Sequence, residues 1–102
     1  MWKDTIVPYS NGTSLKESKY QLSKEFLKGG RTKYNVEICS DLHNPELFRV
    51  RCPEVELKRK ALKSSDFEAA KKEALELVVK KLKEKVTYLN SLVEVFENEL
   101  KK

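Results

Sequence analysis

Hydrophobic positions change period three times along the chain. Between residues 14 and 28, Leu15, Leu22 and Phe26 return on one helical face, with Ser18 filling the gap. Thr13 or Ser14 can cap such a helix, because a side-chain oxygen satisfies an orphan backbone N–H. Gly29-Gly30 suits a left-handed stop, and Lys24 and Lys28 suit the negative end of the dipole. The spacing therefore predicts a helix over 14–28. The period then becomes two. Tyr34, Val36 and Ile38 alternate with Asn35, Glu37 and Cys39; Phe48, Val50 and Cys52 alternate with Arg49 and Arg51; Val55 and Leu57 alternate with Glu54, Glu56 and Lys58. Three half-buried antiparallel strands are predicted, with Cys39 and Cys52 on opposite faces. A third change follows Lys63-Ser64-Ser65. Ser65-Asp66-Phe67-Glu68 has the form of a capping box, and Phe67, Ala70, Ala74 and Val78 then share a helical face. Two alanines on that face allow close approach to a sheet.

The predicted architecture is an α+β domain in the order helix, three-stranded antiparallel sheet, helix, with both helices on one sheet face. Residues 1–13, with Pro8, Asn11 and Gly12, read as an irregular arm; 14–82 form the domain; 83–102 form a C-terminal helical extension. In that extension Leu75, Val79, Leu82, Val86, Leu89, Val93, Phe96 and Leu100 follow a heptad spacing. At 100° per residue this seam lies roughly 90° from the sheet-facing stripe, so one sheet cannot cover both. Three coverings are open. The helix can break near Asn90-Ser91, where Ser91-Leu92-Val93-Glu94 makes another capping box, and fold back; it can pair with its own copy; or it can pair with a different protein. In an antiparallel self-pair Lys83 lies opposite Glu97 and Lys85 opposite Glu99, with Val86 on Phe96 and Val93 on Leu89. A parallel pair opposes charges poorly.

Composition narrows the chemistry. The chain has 102 residues, 39% hydrophobic and 36% charged, which allows one modest core and a heavily solvated surface. No apolar run approaches the ~20 residues of a membrane span, and the first residues lack a signal-peptide core. The expectation is an intracellular protein, nuclear or cytoplasmic, with no membrane or small-molecule partner. Two cysteines make no disulfide framework and lack metal-ligand spacing, so neither a metal nor a cofactor is expected. One histidine, no nucleophile–base pattern and no phosphate-cradling glycine loop argue against an enzyme and leave no catalytic residue to name. The net charge of +5 is uneven: residues 1–33 hold seven bases and three acids, whereas 66–102 hold eight of each. A basic N-terminal part is permissive for nucleic acid.

Ala70-Lys71-Lys72-Glu73-Ala74-Leu75 through Leu82 resembles the second helix of the double-stranded-RNA-binding domain, A-K-x-x-A-A-x-x-A-L-x-x-L. Tyr34, His43, Asn44-Pro45 and Phe48-x-Val50 are similar to that family's first strand, histidine loop and second strand. The resemblance covers about residues 14–82. It implies that the domain reads duplex RNA by shape, His43 entering a minor groove and Lys71 holding phosphate, with Lys63 and Lys72 as substituting neighbours. The chain departs from the family pattern at Phe67 and Glu68, where two lysines are usual, and at Asp41-Leu42, where Gly-Pro is usual. Acids in the first turn suit the helix but repel phosphate. The expected function is thus an adaptor domain in an RNA-processing or RNA-silencing complex, with weak duplex affinity. It would act through Leu75, Val79, Leu82, Val86, Leu89, Val93 and Phe96 on a protein partner, either itself or another domain of the same type. Direct duplex-RNA binding and a structural place in a ribonucleoprotein are the alternatives.

Overall fold

The computed structural model describes the backbone of residues 2–9, 12–27 and 30–102, and their side chains except at 23–27 and 30–32. Five strands form one antiparallel sheet in chain order: β1 Trp2–Pro8, β2 Ser14–Leu27, β3 Gly30–Ser40, β4 Phe48–Cys52 and β5 Leu57–Ala61. A short 3₁₀ turn at Pro53–Val55 joins the last two, and the helix α1 Phe67–Leu100 follows β5. This corrects the helix–three strands–helix order. The class remains α+β, but the described residues form five strands and one helix, and the arrangement implied by the double-stranded-RNA-binding resemblance is not present among them.

The two errors share a cause. Residues 14–27 carry Lys16, Ser18, Tyr20 and Leu22 on one strand face and Leu15, Glu17, Lys19 and Gln21 on the other, so neither face shows the alternation that marks a strand. The segment is a strand because both its edges are occupied. It pairs with β1 from Trp2↔Tyr20 to Pro8↔Ser14 and with β3 from Glu17↔Cys39 to Leu27↔Gly30. Backbone hydrogen bonding on two sides outweighs a weak helical pattern. The supposed irregular arm is the edge strand β1, and Pro8 ends it where a missing N–H costs nothing. The return to β2 is closed by Tyr9, whose N–H donates to the Thr13 carbonyl at 2.8 Å; Gly12 lies there at φ 84°, a conformation that suits glycine. Ser14 starts β2 rather than capping a helix, and Gly30 starts β3; Lys28, Gly29 and the Phe26 side chain lie outside the described residues.

Predicted strands at 34–39 and 48–52 are found within β3 and β4. The third shifts: Val55 sits in the 3₁₀ turn, and β5 runs from Leu57. A register slip between β4 and β5 places a bulge opposite Arg51, with Arg59 at φ 48°.

The register builds the core. Asp4, Ser18, Ile38, Val50 and Lys60 form one row across the sheet. At β3 and β4 it is apolar, so α1 lies over β3, β4 and the 3₁₀ turn. Val36, Ile38, Phe48, Val50, Cys52, Leu57 and Leu62 meet Ala70, Ala74 and Val78 of the helix there. Phe67 stacks on Phe48 at 5.3 Å between centroids. The helix cap is one residue later than the capping box predicts: Asp66, not Ser65, accepts from the Ala69 N–H at 3.1 Å. Glu73 fastens the β5–α1 connection, accepting from the backbone N–H groups of Lys63 and Ser64 and from the Ser64 hydroxyl. Burial alone would raise the Glu73 carboxyl; those donors outweigh it and hold the group below the usual range.

Candidate interaction surface

Helix α1 has 34 residues and, at about 1.5 Å per residue, is roughly 50 Å long, longer than the sheet it rests on. Nothing in its sequence stops it: no proline or glycine follows Phe67. The second capping box is unused. The Ser91 hydroxyl instead donates to the Thr87 carbonyl and the Thr87 hydroxyl to that of Lys83, both at 3.1 Å, as happens inside a continuous helix. The fold-back route is therefore closed, and residues 83–100 project from the domain, whose long axis reaches 65 Å.

The seam divides where the sheet ends. Leu75 and Leu82 pack on the core beside Leu77, so seam and sheet-facing stripe overlap here instead of lying a quarter turn apart. Val79, Val86, Leu89, Val93, Phe96 and Leu100 are exposed, Val86 at 56% and Phe96 at 65%. Tyr88 and Val95 widen this apolar surface. Single exposed apolar side chains are ordinary on a protein, but a continuous apolar face along a projecting helix is the mark of an interaction site. A helical segment without tertiary packing is also marginal on its own, since packing of one face supplies most of a helix's stability.

The residues expected to hold RNA stand in two places, Lys63, Lys71 and Lys72 at the start of α1 and His43 between β3 and β4. Lys71 is only 8% exposed and lies beneath the helix. Its ammonium donates to Asp4 at 2.7 Å and to Glu68 at 3.1 Å, and sits 4.8 Å from the Phe67 ring centroid. Asp4 also accepts from the Ser18 hydroxyl at 2.7 Å. His43 lies in the loop between β3 and β4, where its backbone N–H donates to Asp41 at 2.9 Å. It borders an open groove of about 660 Å³ that includes Glu17, Glu37 and Cys39, on the sheet face away from α1. Lys71 and His43 thus face opposite sides of the sheet. Lys63 and Lys72 are exposed near the start of α1.

Each carboxylate lining that groove has a cation beside it. Arg49 pairs with Asp41 at 2.9 Å, Arg51 with Glu37 at 3.4 Å and Lys19 with Glu17 at 3.4 Å. The Arg49 hydrogen bond, helped by the His43 and Asn44 N–H groups, holds Asp41 below the usual carboxylate range. Burial pushes the Cys39 thiol up, as it does Cys52 on the other face, so neither is an activated nucleophile. Sequence reading missed the Lys71–Asp4 pair, whose partners stand 67 positions apart. No local pattern announces such a pair; only the strand identity of residues 2–8 and 14–27 puts Asp4 beneath the helix.

The pair has a defined pH signature. The Lys71 hydrogen bond, then that of Ser18, holds Asp4 below its ordinary value, and Asp4 in turn raises Lys71. The contribution of Asp4 is complete above the unfolded carboxylate value of about 3.9 and is lost as pH falls through its lower folded value. That of Lys71 is complete below about 10.4 and is lost only above its raised folded value. Asp4→Asn is therefore expected to lower Tm at neutral pH and to flatten the fall in Tm below about pH 4. Thermal melts of both proteins over a pH series check this; parallel curves would show that the pair contributes nothing.

None of the family models, curated proteins or solved structures compared with the chain matches it. Among the described residues, no helix is long and apolar enough to cross a membrane.

Proposed function

We propose that the chain is a protein-association module, an adaptor whose sheet and first helical turns form a rigid base and whose projecting half-helix binds a second helix. The observation that carries this reading is the unbroken helix beyond Leu82 with Val86, Leu89, Val93, Phe96 and Leu100 exposed along it. A folded base that stops at Leu82 has no use for this face, and the helix has no route back to it. Balanced charge over residues 66–102 keeps the segment free of a strong preference for polyanions. The pairing of Lys71 with two carboxylates supports protein association over phosphate binding at the same helix.

A photo-reactive phenylalanine analogue placed at Val93, on the apolar side, is expected to form adducts with another polypeptide when the full chain is irradiated in its own cells. The same group at Glu94, on the polar side, is expected to form few. Equal labelling from both positions, or none from Val93, would reject the reading.

A further inference from the structure

We infer that the occupant of the projecting face is a second copy of this chain, its helix antiparallel, around a two-fold axis level with Ser91. The inference rests on the association reading above and names its partner.

Two observations converge. The first is charge. In the heptad frame with Val79, Val86, Val93 and Leu100 at a, the flanking e and g positions hold Lys83 and Lys85 toward one end and Glu97 and Glu99 toward the other. Antiparallel packing opposes e with e and g with g. With its axis at residue 91, Lys83 faces Glu97 of the second copy and Lys85 faces Glu99, and symmetry repeats both. A parallel pair instead sets Lys85 against Asn90 and Leu92 against Glu97, with no opposite charges matched.

The second is shape. The same axis layers Leu82 on Leu100, Val86 on Phe96 and Leu89 on Val93, so small β-branched side chains meet larger ones in the inner layers. Leu92, half-buried at g, meets its own copy beside the axis. Leu82 is the last residue of α1 in contact with its own core, so the shared face lies beyond it. The contact is made by the same surface on both chains, so it closes at two copies.

Sedimentation of the full chain is expected to show a monomer–dimer equilibrium. Val86→Glu with Val93→Glu should leave only monomer while far-ultraviolet circular dichroism keeps the sheet and base helix. Lys83→Glu with Lys85→Glu sets like charges together and should weaken the dimer about tenfold or more, as should Glu97→Lys with Glu99→Lys; mixing the two variants should restore it as a heterodimer. In a Cys39→Ser background, Asn90→Cys should be joined to its own copy by a short bis-maleimide, because position 90 faces itself across the axis. Val86→Cys should not. Dimers bridged at Val86→Cys but not at Asn90→Cys would overturn the antiparallel pair and leave association standing. A monomer at every concentration, while Val93 still labels a different polypeptide, would overturn the second copy as occupant. Absence of labelling at Val93 would remove both readings.

Discussion

Replacing Phe48 by alanine is expected to lower the unfolding free energy by about 3–5 kcal/mol. Phe48 is among the largest fully enclosed side chains, 2% exposed, at the point where β4, Ser40 of β3 and the first turn of α1 meet. Truncation removes its transfer free energy and the stacked contact with Phe67, and leaves a space that a sheet pinned on both sides of β4 cannot collapse to fill. A domain of this size has about 5–15 kcal/mol in all, so the variant should be close to its folding limit. Chemical denaturation of the full chain measures it. The Phe48 carbonyl still accepts from the Leu62 N–H in the variant, so a loss below about 1 kcal/mol would mean that the hydrogen-bonded edge and not the ring holds this corner.

The second large effect is expected from adding volume. Ala74 is fully buried where α1 crosses the sheet, and Ala70 one turn earlier is equally enclosed. Their methyl groups set how near the helix lies. Ala74→Leu forces three extra carbons into a filled interface and should cost about 1–3 kcal/mol, with the helix lifted or tilted. Ala69→Leu, on the exposed side of the first turn of α1, should change stability by less than about 0.5 kcal/mol. Both residues have the same helix propensity change, so the difference between the two variants isolates packing from propensity. Equal effects would mean that α1 is not seated on its alanines.

Both arguments concern the half of the fold that was legible in the order of residues. Strand alternation from Tyr34 to Ile38 and from Phe48 to Cys52, the alanine-lined face after Phe67 and the heptad spacing through Phe96 are local signals. Each states which face of its own element is apolar; burial follows it in the two strands and on the alanine face, whereas the heptad face past Leu82 stays exposed. The cap illustrates the limit of local reading. Ser65 and Asp66 are both competent, and the backbone entering from Leu62 chooses Asp66.

The candidate surface divides in the same way. The exposed face of α1 could be read from spacing alone, because an extended amphipathic pattern has no other use than to be covered. Where its partner-facing part begins could not. Leu75 and Leu82 belong to the same heptad series as Val86 and Val93, and only the sheet's reach decides that the first two are internal. The residues expected to hold RNA divide too: Lys63, Lys71 and Lys72 stand at the start of α1, whereas His43 lines the groove on the other face of the sheet.

By itself, the order of residues determined which segments are amphipathic, with which period, and that residues 83–100 carry an apolar face. Tertiary structure alone decided that residues 2–8 and 14–27 are strands and that Lys71 is paired with Asp4. The reason is physical. Side-chain periodicity is a property of one segment, whereas strand pairing and a long-range ion pair are contracts between segments, and their free energy appears only when both partners are in place.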